Sequence, residues 1–233
     1  MLTYADIVDA LAPHGLIPRG GLHPAPEDGV PPSVGGRPTQ SLVLVGNAGP
    51  EMWRRFTGAP EFADGAPDPL DRWTTRVLTA VADGLGAVAL FPFGGPTYLP
   101  IQRWAMRAEP VHPSPIGVLI HPEYGLWHAY RGALAFPEWI DLPSRQEIQS
   151  PCETCPERPC LSTCPVGAFT TTGYDVPACA QHLDAPAGAD CMELGCRARR
   201  ACPVGHSFQY PPGQAEFHML PFRRNALARL AQN

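Results

Sequence analysis

Two cysteine-rich stretches determine how this chain is organised: PCETCPERPCLSTCPVG at residues 151–167 and CMELGCRARRACPVG at residues 191–205. Both end in the tetrapeptide CPVG, so they form an internal repeat. The eight cysteines of the 233-residue chain are Cys152, Cys155, Cys160, Cys164, Cys179, Cys191, Cys196 and Cys202. Because they are confined to one part of the chain, they predict a local site built from thiolates.

The cysteine spacing favours iron–sulfur clusters over two other arrangements. Closely spaced cysteines on a turn can direct thiolates at one face of a cubane while backbone amides hydrogen-bond its sulfides. Two structural zinc sites are one alternative, although only Cys152 and Cys155 have the C-x2-C spacing that zinc sites commonly use. Disulfides are the other, but residues 1–15 lack the pattern of a signal peptide. We therefore expect a cytoplasmic protein with reduced thiols.

The cysteines form two groups of four, at residues 152–164 and 179–202. Both groups close with Cys-Pro and resemble the two-cluster bacterial ferredoxins. The resemblance implies two 4Fe–4S clusters, each bound by three cysteines of one group and the last cysteine of the other. One cluster would be held by Cys152, Cys155, Cys160 and Cys202, and the second by Cys164, Cys179, Cys191 and Cys196. The first group has two more residues before Cys160 than the family's C-x2-C-x2-C-x3-C-P run, and the second is looser, which leaves the sharing of Cys179 and Cys191 open.

Composition excludes several kinds of chemistry. All 17 basic residues are arginine. A phosphate-binding loop of the G-x-x-x-x-G-K-[ST] type, a Schiff-base lysine and a Ser/Lys dyad are therefore ruled out, since each needs an ammonium group. The formal net charge of −5 argues against nucleic acid as a partner. No stretch approaches the length of a membrane span, so we expect no membrane partner.

We predict two domains, residues 1–145 and residues 146–233, the second being a small, loop-rich, ferredoxin-like unit with a C-terminal helical tail. The first domain is predicted to be α+β with a largely antiparallel sheet, because helical and strand patterns interleave along it. Its predicted elements are a helix from Thr3 to about His14, an exposed loop over residues 18–39, strands at Ser41–Val45 and Val88–Phe91, helices at residues 49–56, 68–84 and 101–108, and a hairpin over residues 116–136.

Residues 115–143, PIGVLIHPEYGLWHAYRGALAFPEWIDLP, closely resemble cobalamin-processing proteins of the cblC type. That resemblance implies a flavin-reductase-like (nitroreductase-related) fold and base-off binding of cobalamin or a related corrinoid. It implies catalytic roles for Arg131 and His121, and places Tyr124 and Trp127 around the same pocket. A histidine of the family's pattern is replaced here by Gly95.

Each of these residues also has a plain structural interpretation. His121 can be a turn histidine, and Trp127 can simply pack in a core. Arg131 lies in an apolar strand and is more telling, since a buried guanidinium usually has an anionic partner. Gly94 and Gly95, in FPFGGPTYLP at residues 91–100, can form a tight turn or let the backbone approach a flat cofactor.

A cobalamin-processing domain joined to a two-cluster module is similar to the arrangement in epoxyqueuosine reductases and reductive dehalogenases. The similarity implies an oxidoreductase that passes electrons from two 4Fe–4S clusters to a corrinoid, for cobalt reduction or reductive removal of its upper ligand. A redox protein would supply the electrons, and a homodimer is an open option. The alternative is a ferredoxin-type electron carrier whose N-terminal domain binds flavin (FMN) or docks a partner.

Overall fold

A computed structural model describes residues 2–95, 98–170 and 173–232, which divide into two compact units. The first unit is Met1–Val111 with His128–Ile148, and the second is His112–Trp127 with Gln149–Asn233. The chain passes from the first to the second for the last time at residue 148, three residues beyond the predicted boundary. Residues 112–127, which we expected in the first domain, belong to the second unit.

The described residues form helices and short strands throughout both units. In chain order the helices are α1 (Tyr4–Leu11), α2 (Glu51–Thr57), α3 (Pro60–Ala63), α4 (Pro69–Leu85), α5 (Ile101–Ala108), α6 (Pro159–Ser162), α7 (Val176–Asp184), α8 (Ala189–Leu194), α9 (Arg197–Arg200) and α10 (Pro212–Leu230). The strands are β1 (Ile17–Leu22), β2 (Ser41–Ala48), β3 (Val88–Leu90), β4 (His112–Pro113), β5 (Leu119–Ile120), β6 (His128–Phe136), β7 (Phe169–Thr170) and β8 (Gly173–Tyr174).

The first unit is built on an antiparallel sheet with strand order β1-β2-β6-β3. Strand β2 is buried on both faces, which explains its continuous apolar sequence. Leu42 and Leu44 pack in a core with Ile101 and Trp104 of α5, while the alternate residues face the other side. The unit is therefore α+β with an antiparallel sheet, as predicted.

The predicted first helix is confirmed at its start, with Thr3 as the N-cap, but α1 ends at Leu11 and residues 12–14, predicted to continue it, form a 3-10 turn. The Thr3 side chain accepts a hydrogen bond from the backbone N–H of Asp6, and the Asp6 carboxylate accepts one from the N–H of Thr3 at 2.7 Å. This reciprocal pair is a capping box. Gly15, with φ 66°, ends the short 3-10 turn that follows α1. The predicted helix at residues 101–108 is confirmed as α5 with the same bounds.

The prediction of an exposed loop over residues 18–39 is wrong at its start. Residues 17–22 form strand β1, which pairs with β2 through an irregularity between Pro18 and Gly21. Arg19 in this strand is 1% exposed. Its guanidinium donates two hydrogen bonds to the Glu109 carboxylate, at 3.1 Å and 2.6 Å. The proline and glycines of this strand predict a loop. The strand forms nevertheless, because it is stabilised by partners distant in sequence and not by local propensity.

The predicted hairpin over residues 116–136 is also wrong. Strand β5 pairs with β4, and β6 pairs with β2 and β3 of the first sheet. Only an isolated bridge joins His121 to Gly125, with hydrogen bonds of 2.9 Å in both directions. Strand β6 forms a long ladder with β2, which satisfies many more backbone groups than a hairpin with β5 would.

The second unit packs α7 and α8 against α10, the long C-terminal helix. Arg199 of α9 ties residues 112–127 into this unit, because its guanidinium donates to the Leu126 carbonyl, through Nε at 2.9 Å. The same group lies over the rings of Trp127 and Tyr210, at 4.4 Å and 4.7 Å. In the described ranges, no helix has both the length and the apolar character needed to cross a bilayer.

Candidate functional site

The second unit brings the eight cysteines together as two groups of four. The first quartet consists of Cys152, Cys155, Cys160 and Cys202, which line one cavity of about 270 Å³. The second quartet consists of Cys164, Cys179, Cys191 and Cys196, which line another of about 20 Å³. Each quartet thus takes three cysteines from one group of the sequence and one from the other. This is the grouping that the ferredoxin resemblance implies, while metal binding by these thiols stays a prediction.

Short elements position the first quartet. Cys152 lies in a turn at residues 151–153, Cys155 lies in the loop just after it, Cys160 lies in α6, and Cys202 follows α9. The residues 112–127 contribute to the same cavity through Pro115 and Ile120. Part of the motif that resembles cobalamin-processing proteins therefore forms a wall of the first cysteine cavity.

The electrostatics of the first quartet reflect burial and the proximity of the sulfurs to one another. Burial raises the pKa of the Cys160 thiol, and the neighbouring thiolates, Cys152 first, raise it further. Burial likewise raises the pKa of Cys202, against a hydrogen bond from the backbone N–H of Val204. The Ser150 hydroxyl donates to the Cys152 sulfur in the same way. These donors stabilise negative charge on the sulfurs.

Helices position the second quartet. Cys179 lies in α7, Cys191 in α8, and Cys196 at the start of α9. Burial raises the pKa of Cys196, while backbone N–H groups of Arg199 and Ala198 donate to its sulfur. The backbone N–H of Ala168 donates to Cys164 Sγ at 3.3 Å. Sulfur atoms that accept hydrogen bonds from backbone N–H groups are suited to an anionic metal–sulfur centre.

A tyrosine supplies a side-chain donor to the second quartet. The Tyr174 hydroxyl donates a hydrogen bond to the Cys179 sulfur, and burial raises the pKa of this phenol. Its ring stacks on Phe169, its partner across the β7–β8 pair, with centroids 4.7 Å apart. It also stacks on Phe222 of α10 at 6.3 Å. These contacts orient the hydroxyl toward the sulfur.

The donor chemistry of both quartets fits an iron–sulfur cluster: four cysteine sulfurs, partly buried, with N–H and O–H donors directed at them. The cavities differ in size, about 270 Å³ for the first quartet and about 20 Å³ for the second. Across the described residues, no set of three or more His, Cys, Asp or Glu side chains is arranged to hold a single metal ion.

Three residues predicted to surround a corrinoid lie in the second unit. His121 is buried, its Nδ1 accepts hydrogen bonds from the backbone N–H groups of Glu123 and Tyr124 at 3.1 Å and 3.2 Å, and its ring stacks on Tyr124 at 4.2 Å. Trp127 is 1% exposed and packs against Tyr210. In this unit these residues serve as turn and core residues, the plain interpretation raised from the sequence.

The other predicted residues, Arg131, Gly94 and Gly95, lie in the first unit. Arg131, in β6, is half-buried and close enough to Asp71 of α4 to oppose the rise in that carboxyl's pKa that burial causes. Gly94 is exposed with φ 93°, a conformation that favours glycine. Pro96 and Thr97 of the same predicted segment lie outside the described residues. The quartets therefore draw together all eight predicted ligands, whereas the predicted corrinoid residues are divided between the units.

Sequence reasoning missed the groups that surround the sulfurs. Tyr174 and Ser150 carry no motif, and only their nearness in sequence to Cys179 and Cys152 pointed to them. In comparisons with known proteins, no family model and no curated protein matches this chain. What can be argued about its function therefore rests on its own residues and their arrangement.

Proposed function

We propose that this chain is an iron–sulfur oxidoreductase with two 4Fe–4S clusters that passes electrons to a corrinoid. The observation that supports the proposal is an exchange between the two groups of cysteines. Cys164, from the first group, lies in the second quartet, and Cys202, from the second group, lies in the first quartet. Such an exchange of the last cysteine is what a Cys-Pro run does in two-cluster ferredoxins. Zinc sites commonly pair two C-x2-C units, whereas in this chain only Cys152 and Cys155 have that spacing.

When bound, 4Fe–4S clusters supply one-electron transfer at potentials set by charge, hydrogen bonds and burial. In this chain, the hydrogen-bond donors around the cysteine sulfurs would help to set the reduction potentials. Backbone N–H groups at Ala168 and Val204, together with the Tyr174 hydroxyl, donate to sulfurs. Proline follows both exchanged cysteines, Cys164 and Cys202, and cannot donate a backbone hydrogen bond or extend a helix through the site.

The corrinoid part of the proposal draws on the resemblance of residues 115–143 and on the first unit. Arg131, on strand β6 of that unit, is a half-buried cation that lies near Asp71 of helix α4. An arginine held in this way can bind an anionic group of a substrate. The proposed reaction is reduction of the cobalt or reductive removal of its upper ligand, with the electrons coming from a redox partner protein in the cytoplasm.

The first test is the metal content of anaerobically reconstituted protein. We expect about eight iron and eight sulfide per chain, four of each per cubane. Zinc without sulfide would refute the proposal. Hydroxocobalamin added to the same sample should then give the spectrum of a base-off corrinoid, and an unchanged corrinoid spectrum would remove the second half of the proposal.

A matched pair of variants tests the exchange of cysteines. Cys155→Ser and Cys164→Ser alter the same stretch but different quartets. Each should reduce the iron content to about four per chain. The two should retain different clusters, distinguishable by the electron paramagnetic resonance signals of the reduced protein. Loss of the same signal in both variants would show that the exchange does not occur.

One observation favours the electron-carrier alternative. His121 and Trp127 both make contacts inside the second unit. Two of the residues predicted to contact a corrinoid therefore have a structural role that needs no corrinoid. If the N-terminal domain binds FMN or docks a partner, the purified protein should retain flavin or reduce a partner, and cobalamin should have no effect on either.

A further inference from the structure

His182 is a partly buried histidine that the proposed function has not yet used. It lies on α7 one turn after Cys179, and residues three apart on a helix share a face. Both line the cavity of the second quartet. Leu183, the next residue, is buried in a small core with Cys191 and Met192, so this face of α7 is directed into the unit.

The Nε2 atom of His182 has no hydrogen-bond partner within the described part of the chain, although it is closed off from water. A buried ring nitrogen in that position costs free energy unless something in the cavity pairs with it. The other residues that line this cavity offer mainly sulfur and apolar side chains, among them Val166, Phe169 and Met219. Arg197 also lines the cavity but can only donate, so the side-chain acceptors in this lining are sulfur atoms.

We propose that His182 donates an Nε2–H hydrogen bond to a sulfur of the second cluster and raises the reduction potential of that cluster. This inference rests on the proposed function, because it needs a cluster in the second quartet. The physical reason is charge: reduction adds one negative charge to the cluster, so a donor stabilises the reduced form more than the oxidised form. His182 is thus a positioning residue that tunes the potential and is not a ligand.

The test compares midpoint potentials in three variants, with the second cluster assigned from its retention in Cys155→Ser. His182→Leu removes the donor and should shift the one-electron equilibrium of the second cluster about tenfold toward the oxidised form, about 59 mV. His182→Gln keeps an N–H donor and should restore part of the shift. His206→Leu is the control, because His206 is exposed and lines neither cysteine cavity.

A measurement on the unmodified protein keeps the inference testable if a variant fails to fold. With ¹⁵N-labelled histidine, the reduced second cluster should show a weak nitrogen coupling, typical of a hydrogen bond. A strong coupling would make His182 an iron ligand, and the absence of any coupling would show that Nε2 faces something else. Either result overturns the inference.

The iron analysis separates the two proposals. Wild-type protein without iron and sulfide overturns the proposed function and this inference with it. Eight iron per chain with an unchanged potential in His182→Leu overturns only the inference. A fall to four iron in both His182→Leu and His182→Gln would also overturn it, because the residue would then be needed to hold the cluster.

Discussion

Gly205 and Gly167 occupy the same position in the two CPVG repeats but meet different surroundings. Both have a left-handed backbone, with φ 77° at Gly205 and 59° at Gly167. A Cβ at Gly205 would lie 2.3 Å from the carbonyl oxygen of Tyr124, whereas within the described residues nothing lies within 4 Å of a Cβ at Gly167. Substituting alanine at each site therefore separates backbone strain from steric overlap.

The expected magnitudes follow from these two contributions. The left-handed conformation costs a residue with a Cβ about 1–2 kcal/mol, and this applies to both variants. Overlap with a packed backbone adds about 1–3 kcal/mol at Gly205 alone. Gly167→Ala should thus lower the free energy of unfolding by about 1–2 kcal/mol, and Gly205→Ala by about 2–5 kcal/mol.

Urea unfolding of the reconstituted protein, followed anaerobically by circular dichroism, measures both values. Gly125→Ala tests the same close approach of two backbone segments from the other side, because its Cβ would lie 2.0 Å from the carbonyl oxygen of Val204. Since the two glycines face each other, the double variant Gly125→Ala/Gly205→Ala should lose less than the sum of the single variants. Equal destabilisation by Gly205→Ala and Gly167→Ala would refute the reasoning.

Three further predictions concern the site and the first unit. Tyr174→Phe removes the hydroxyl that donates to Cys179 and should lower the potential of the second cluster by about 20–60 mV in a redox titration, leaving the first unchanged. Glu109→Ala removes the carboxylate that pairs with the buried Arg19 guanidinium and accepts from the Tyr130 hydroxyl and should cost about 3–5 kcal/mol in urea unfolding, whereas the double change Arg19→Met/Glu109→Leu should cost less, because it removes the buried charge together with its partner. The Arg76 guanidinium lowers the pKa of the Glu61 carboxyl from its ordinary 4.5, so the ion pair stabilises the fold above that pH. The stability difference between wild type and Arg76→Gln, measured by unfolding at a series of pH values, should therefore shrink as the pH falls through the lowered pKa; a constant difference would contradict it.

Local features of the fold were predictable from nearby residues. The capping box at Thr3, the helix at residues 101–108 and the apolar strand at Ser41–Val45 are each determined by groups a few positions apart. Strand β1 was not predictable in this way. Its Arg19 is held by Glu109, ninety positions away in sequence, and no local pattern carries that information.

The candidate site divides along the same line. The eight cysteines and their two groups could be identified from the sequence, where the resemblance to two-cluster ferredoxins predicted that the groups exchange Cys164 and Cys202. Tyr174 and His182 could not, since tyrosines and histidines occur elsewhere in the chain. Only packing shows that His182 lines the cavity of the second quartet and that Tyr174 stacks on Phe169 beside it.

By itself, the sequence determined the number and grouping of the cysteines, the capped start of the first helix and a division of the chain near residue 148. The tertiary structure alone decided that residues 112–127 pack with the cysteine-rich unit, that β6 pairs with β2 in place of a hairpin, and that Tyr174 donates to a sulfur. The physical reason is the range of the forces involved. Helix caps and turns satisfy their own backbone groups, whereas strand pairing and burial depend on partners that only the folded chain brings near.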